Sequence, residues 1–307
     1  MSLIGCRSLS LLSGVFALAV GAAAAESHTA KGMTVELVAD APVVVPGRPL
    51  HLGVVFRPEL GFHTYWRQPG LVGLTPTIEW SLPAGMEAGG LLWPEPQRGK
   101  MGAYAVWCLR REVAVAAPIT VPATLDPSVT PQVTVRAKVV WMACSRTCHP
   151  GTAELSLTLP VRAMPDDATP DDATPDDVVR EAAGRGASLI RTTLREQPIT
   201  DDRWKFAAVR HGKEGGYSLT ITPPQGGAVP EDAYFYGHQR LVDSNVEPVR
   251  VALDDGVVRI DLAPVEEPDP TPATLIGELW SAKGWGGGKS QRLLKVKATL
   301  TIADEPK

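Results

Sequence analysis

Apolar and polar residues alternate strictly in two stretches near the middle of the chain. Over residues 131–143, Val133, Val135, Ala137, Val139 and Trp141 fall on one side, and Gln132, Thr134, Arg136 and Lys138 on the other. Over residues 152–161, Ala153, Leu155, Leu157, Leu159 and Val161 oppose Glu154, Ser156 and Thr158. A period of two sends successive side chains to opposite faces, so both stretches predict half-buried antiparallel strands. Shorter apolar runs bounded by Gly and Pro predict further strands at 33–39, 49–57, 75–81, 104–116, 203–210, 216–222, 248–253, 256–263, 273–281 and 291–302. One segment, 178–196, has helical spacing instead. There Val178, Val179, Ala182, Ala183, Leu189, Ile190 and Leu194 share a face, weakened by Gly184 and Gly186 and ended by Gln197-Pro198.

Two segments fit neither period. Residues 165–177, PDDATPDDATPDD, repeat DDATP and hold no large apolar side chain. Such a tract cannot offset its ordering entropy by burial, and it predicts an extended acidic linker. At the start, Arg7, the apolar run Leu9–Val20 and Ala23-Ala24-Ala25 have the layout of a secretory signal peptide cleaved near Ala25. The run is short of the ~20 residues that span a bilayer, and no later segment is long and apolar enough, so the mature form is expected to have no membrane span. The predicted organisation is a signal peptide (1–25), a β-sandwich (26–163), a linker with a short helix (164–199) and a second β-sandwich (200–307).

Composition agrees with many short strands. Gly and Pro supply 29 and 28 of the 307 residues, about 19% against the usual ~12%. That excess of turn formers disfavours a helical bundle. Hydrophobic residues at 44% exclude a disordered chain, and a formal net charge of -4 gives no basic footprint for nucleic acid. An exported chain also meets a compartment that permits disulfides.

The candidate chemistry lies where the first alternating strand ends. Trp141-Met142-Ala143-Cys144-Ser145-Arg146-Thr147-Cys148-His149-Pro150-Gly151 places two cysteines in a C-x3-C spacing, with Pro150-Gly151 expected to turn the chain into the next strand. As a staple this pair is poor. Closing a five-residue loop is worth about 2 kcal/mol in the chain-entropy account, against about 3.8 kcal/mol for a Cys108–Cys144 bridge. A switchable dithiol next to Arg146 and His149, which favour a thiolate, is the sharper reading. A structural bridge remains open, as does a copper or zinc module drawing on Cys108, Cys144, Cys148 and His149, or a non-catalytic interaction module. Cys108 shares a face with Val106, Arg110 and Glu112 by alternation and has no assigned role. His63, beside Tyr65 and Trp66, fits packing or surface recognition better than catalysis. Gly284–Ser290 has the glycines of a phosphate loop but joins strands and opens no helix, so it assigns no nucleotide. No cofactor is implied.

Residues 62–161 also resemble a known family. The string His63-Thr64-Tyr65-Trp66, then Pro69-Gly70-Leu71-Val72-Gly73-Leu74-Thr75-Pro76, Ile78-Glu79-Trp80, Leu82-Pro83-Ala84-Gly85, Trp93-Pro94-Glu95-Pro96, Tyr104 and the C-x3-C block follow in order. This is similar to the periplasmic N-terminal domain of the thiol:disulfide interchange protein DsbD, and more closely to its ScsB-like (suppressor of copper sensitivity) branch. The resemblance implies immunoglobulin-like sandwiches in an all-β fold, with Cys144 and Cys148 as the redox couple. It implies a membrane electron-transfer protein as reductant and periplasmic thioredoxin-fold proteins as oxidant. Arg146, His149, His63, Tyr65, Trp66 and Tyr104 become candidates for tuning the couple or docking a partner. The family's membrane-embedded domain and thioredoxin-like domain have no counterpart here, so the donor is expected to be a separate protein. Cys108 stands where relatives carry a small residue.

Overall fold

The computed structural model describes residues 26–163, 184–212, 215–267, 270, 272–285 and 291–303. The signal-like segment 1–25, the acidic tract 165–177, the start of the expected helix (178–183) and residues 286–290 lie outside these.

The N-terminal half contains β1 (Ser27–Ala30), β2 (Met33–Ala39), β3 (Leu50–Pro58), β4 (Thr64–Gly70), β5 (Thr77–Ser81), β6 (Glu87–Ala88), β7 (Gln97–Met101), β8 (Tyr104–Leu109), β9 (Val113–Thr120), β10 (Gln132–Cys144) and β11 (Cys148–Pro160). They form sheets in the orders β1-β2-β3-β9-β6, β11-β10-β5 and β4-β8-β7. Val35, Leu37, Leu52, Val54, Phe56, Val113 and Val115 of the five-stranded sheet pack on Val133, Val135, Val139, Trp141, Leu155, Leu157 and Leu159. The apolar side of each alternating stretch is thus the core side, as its period predicts. The outer face of the same sheet carries helix α1 (Gly184–Arg195). Ile190 packs there with Val38, Val55, Ala114 and Ala116, and Thr193 Oγ1 donates to the Ala114 carbonyl at 2.7 Å.

The C-terminal half contains β12 (Lys205–His211), β13 (Tyr217–Thr222), β14 (Tyr234–Gly237), β15 (Val249–Ala252), β16 (Val258–Leu262), β17 (Thr274–Trp280) and β18 (Leu293–Ala303), ordered β14-β17-β18-β12-β13-β16-β15. Strand β18 changes partner along its length. Leu293–Thr299 pair antiparallel with β17, and Leu300–Ala303 pair parallel with β12. The strands therefore close around one core that includes Leu219, Phe235, Ile260, Leu279, Trp285, Leu294 and Val296. The described chain is all-β and immunoglobulin-like with one short helix. No helix among the described residues is long and apolar enough to cross a membrane.

Three expectations change. The strand expected over 104–116 is two strands in different sheets, because Arg110-Arg111-Glu112 carry the chain across. Arg111 pairs with Glu196 at 2.9 Å and Glu112 with Arg57 at 2.5 Å. The alternation that placed Cys108, Arg110 and Glu112 on one face therefore stops at Leu109. Second, Pro150 and Gly151 do not form the turn. They lie inside β11, and the turn is Ser145–Thr147. Gly151 sits opposite Trp141, and a Cβ there would lie 2.2 Å from the indole, so its missing side chain makes room for that ring. Third, β1, β4, β6, β7 and β14 form where no strand was expected. β4 and β14 are buried on both faces and so show no alternation.

The two halves pack closely. Trp66 is fully buried, sets its ring edge-to-face with Tyr236 and His238, and donates from Nε1 to the Pro94 carbonyl at 3.0 Å. Trp107 donates to Tyr234 Oη at 3.2 Å. Glu95 accepts from Trp280 Nε1 and pairs with Arg292, each at 2.7 Å. Buried Glu278 meets His238 at 3.1 Å and Arg67 at 3.4 Å.

Candidate functional site

Strands β10 and β11 run thirteen residues each in unbroken register, from Gln132 opposite Pro160 to Cys144 opposite Cys148. Only Ser145, Arg146 and Thr147 stand between the cysteines. Directly opposed positions bring Cβ atoms within bonding reach of a bridge, and Cys144 and Cys148 form a disulfide with Cα atoms 4.2 Å apart. The two sulfurs have unlike surroundings. Cys144 is fully buried with Tyr65, Val106 and Cys108, whereas Cys148 is exposed.

Residues far away in sequence hold and cover this tip. The backbone of His63 exchanges two hydrogen bonds with that of Cys144, both 2.9 Å. This bridge joins the end of β10 to the strand beginning at Thr64. Tyr65 Oη lies 3.9 Å from Cys148 Sγ, and Met101 Sδ lies 4.0 Å from the same sulfur. The Tyr65 ring is pinned in turn by His63, edge-on at 5.3 Å. It is also covered by the loop at Gly73. That glycine has φ +117°, and a Cβ on it would stand 2.2 Å from the ring. The glycine string of the sequence motif thus lets the chain pass over the aromatic ring that attends the disulfide.

Cys108 is fully buried, and its thiol donates to the Gln97 carbonyl at 3.4 Å. Burial pushes its pKa up to about 12, with the charge of Arg110 working against that rise. It is therefore a neutral thiol at neutral pH and a poor nucleophile. Among the described residues, no three His, Cys, Asp or Glu side chains are grouped to hold a metal ion. The set Cys108, Cys144, Cys148 and His149 is not gathered around one point. His149 turns to Thr147 at 3.0 Å and to the ring of Phe62.

The other sequence candidates divide. His63 and Tyr65 are brought to the pair. Trp66, next in sequence, faces the opposite way into the core between the halves. Tyr104 is half exposed and paired with Met101 at the β7–β8 turn, so it stands beside the cover rather than over the sulfur. Arg146 is exposed at the hairpin tip and makes no ion pair among the described residues. The cation whose field reaches both His63 and Cys108 is Arg110. Arg110 and Met101 were missed by sequence reasoning because the hairpin recruits them from a different sheet.

Two predictions arise from these neighbours. Burial raises the Tyr65 phenol above its ordinary pKa, and the Cys108 sulfur adds to the rise, so the hydroxyl stays protonated and can donate to a thiolate at Cys148. Hydrogen bonds to charged groups are worth roughly 1.5–3 kcal/mol. Tyr65→Phe is therefore expected to raise the Cys148 thiol pKa by about one unit. The pH dependence of iodoacetamide alkylation, measured in a Cys144→Ser background, reads this directly. An unmoved pKa would deny Tyr65 that role.

His63 gives an acid dependence. Burial lowers its pKa, aided by Arg110, and its Nε2 has no partner. The unfolded imidazole takes its proton at about 6.5, above the folded value. The unfolded state then binds more protons across that window, so stability is complete above about pH 6.5 and is lost as pH falls towards the folded pKa. Urea midpoints are expected to drop less between about pH 7.5 and about pH 5 in His63→Phe than in the parent. Parallel losses in both proteins would contradict this.

The comparisons with known proteins accord with the geometry. Residues 34–160 match the family described as thiol:disulfide interchange protein DsbD, N-terminal. No curated protein matches the chain. Among solved structures, the N-terminal periplasmic domain of ScsB from Proteus mirabilis is similar with a TM-score of 0.55 at 15% identity, covering 89% of this chain and 97% of that one. This likeness concerns the fold, and it extends over both halves. A periplasmic chaperone, SfaE, aligns at 8% identity with a TM-score of 0.19, covering 87% of this chain and 100% of that one, which is too low to bear on the fold. With its all-β sandwich and its cysteine pair at a hairpin tip, the segment 34–160 is a DsbD N-terminal-like domain.

Proposed function

We propose that the chain is an exported thiol–disulfide exchange module. It relays reducing equivalents between a membrane electron-transfer partner and periplasmic thioredoxin-fold proteins through Cys144 and Cys148. Residues 1–25 direct export and are cleaved near Ala25. Residues 26–163 and 200–307 are two sandwich domains, the first bearing the redox pair.

One observation carries the reading. The bridge spans a three-residue turn that a thirteen-pair ladder already holds in register. In the chain-entropy account a cross-link over so short a loop is worth about 2 kcal/mol, roughly half of what a long loop gives, so stability is a weak reason for placing it there. Its asymmetry suits exchange instead. A partner thiolate attacks the exposed Cys148 sulfur, the S–S bond breaks, and the electron pair leaves on Cys144. The partner's second thiolate then attacks its own sulfur in the mixed disulfide, freeing Cys148 and leaving the partner oxidised. In the next half-cycle the Cys148 thiolate attacks the acceptor's disulfide and Cys144 resolves the adduct, so two electrons pass on. Tyr65 and Met101 restrict access to the sulfur, which favours attack by a shaped protein surface over small thiols.

The test is a redox titration against glutathione or dithiothreitol with mass-spectrometric mapping of the cysteines. Reversible equilibration of Cys144–Cys148, with Cys108 unchanged, supports the relay. A bridge that resists reduction in the folded protein makes it structural.

A further inference from the structure

A cleft of about 830 Å³ opens beside the disulfide, between the two halves. Its near end is walled by Gly61, His63 and Ser145, the residue after Cys144, and its far end by Tyr234, Ser244 and Asn245. Between them stand three cations, Arg98, Lys100 and Arg110, and one carboxylate, Glu247. Arg98 is committed: it pairs with Glu247 and lies 4.4 Å over the ring of Tyr234. Lys100 and Arg110 are exposed and form no ion pair among the described residues. In a chain of net charge -4, this is a local excess of positive charge next to the reactive sulfur.

The far wall is rigidly placed. Ser244 Oγ donates to the Ala105 carbonyl at 2.7 Å and accepts from the Leu71 amide at 3.2 Å, and Asn245 Oδ1 accepts from the Ala105 amide. The C-terminal half therefore grips β8 and completes a groove that the N-terminal half alone would leave open.

We infer that this cleft is a docking groove for an acidic polypeptide segment flanking the partner's reactive cysteine, with Lys100 and Arg110 receiving its carboxylates. This deepens the exchange reading and rests on it. The size favours a stretch of several residues over a single small anion. Opposite charge along a groove raises encounter rates, and salt weakens the effect.

The test uses two synthetic peptides of equal length, each with one cysteine, flanked by aspartates in one and lysines in the other. Second-order rates of reduction of the Cys144–Cys148 bridge are normalised to each peptide's thiolate fraction. The acidic peptide is expected to react about tenfold faster at low salt. The ratio should approach unity at about 0.5 M NaCl and fall several-fold in Lys100→Gln/Arg110→Gln. Equal rates, or a preference that survives the double substitution, overturn the inference. Both side chains are exposed, so misfolding is not expected, and near-ultraviolet dichroism checks it. If even dithiothreitol leaves the bridge intact, the exchange reading fails by itself. Titration of Trp fluorescence with serine versions of the peptides then tests the groove: stronger binding of the acidic one supports it, and equal binding rejects it.

Discussion

Cys148→Ser is expected to lower exchange with a thioredoxin-fold partner by at least about a thousandfold, since the nucleophile itself is removed. Cys148 is the exposed residue of the pair and Cys144 the buried one, so in the proposed relay attack from either direction passes through Cys148. A hydroxyl at that position neither ionises near neutral pH nor forms the mixed disulfide. Cys144→Ser should behave differently. It leaves Cys148 able to join a partner but removes the buried thiolate that resolves the adduct. A stable mixed disulfide should then accumulate, visible as a mass increase equal to the partner and reversed by dithiothreitol. Full turnover by Cys148→Ser would show that the exposed sulfur is not the point of entry. Turnover by Cys144→Ser without accumulation would remove the resolving role.

The second large effect concerns stability. Trp66→Ala empties the space of a fully buried indole and leaves the Pro94 carbonyl without its donor. Large-to-small changes of this kind cost roughly 3–5 kcal/mol. The loss should not stay local, because Tyr236 and His238 of the C-terminal half pack on that ring. Urea unfolding followed by far-ultraviolet dichroism is expected to shift as a whole to lower denaturant. A shift confined to part of the transition would show that the halves unfold independently.

Much of the site was legible because its main parts are local in sequence. The hairpin shows its period since each strand keeps one wet face, and the cysteines flank its turn. The surroundings were illegible for a physical reason. β4 is enclosed on both faces, so it has no alternation, and its strand-forming start Thr64-Tyr65-Trp66 runs into Pro69 and Gly70, which read as a turn. β7, Gln97–Met101, is short and polar. Adjacent residues also part company: Tyr65 turns to the disulfide and Trp66 to the opposite core, which a string of aromatics does not announce. Arg146 looked like the activating cation by proximity in sequence, yet it is exposed at the tip, and the cation whose charge reaches the buried neighbours His63 and Cys108 is Arg110.

The amino-acid sequence by itself determined the β class, the two long alternating strands and the placing of Cys144 and Cys148 in the tight connection between them, since each depends on residues within a few positions or on a strict period of two; that the two sulfurs are bonded to each other is decided by the structure. Only the tertiary structure decided which cysteine of the pair is exposed, that Cys108 is sealed in as a neutral thiol, and which groups attend the Cys148 sulfur. Tyr65 and Met101 stand 83 and 47 residues from Cys148 along the chain. Their approach depends on how three sheets pack, and no local spacing encodes that packing.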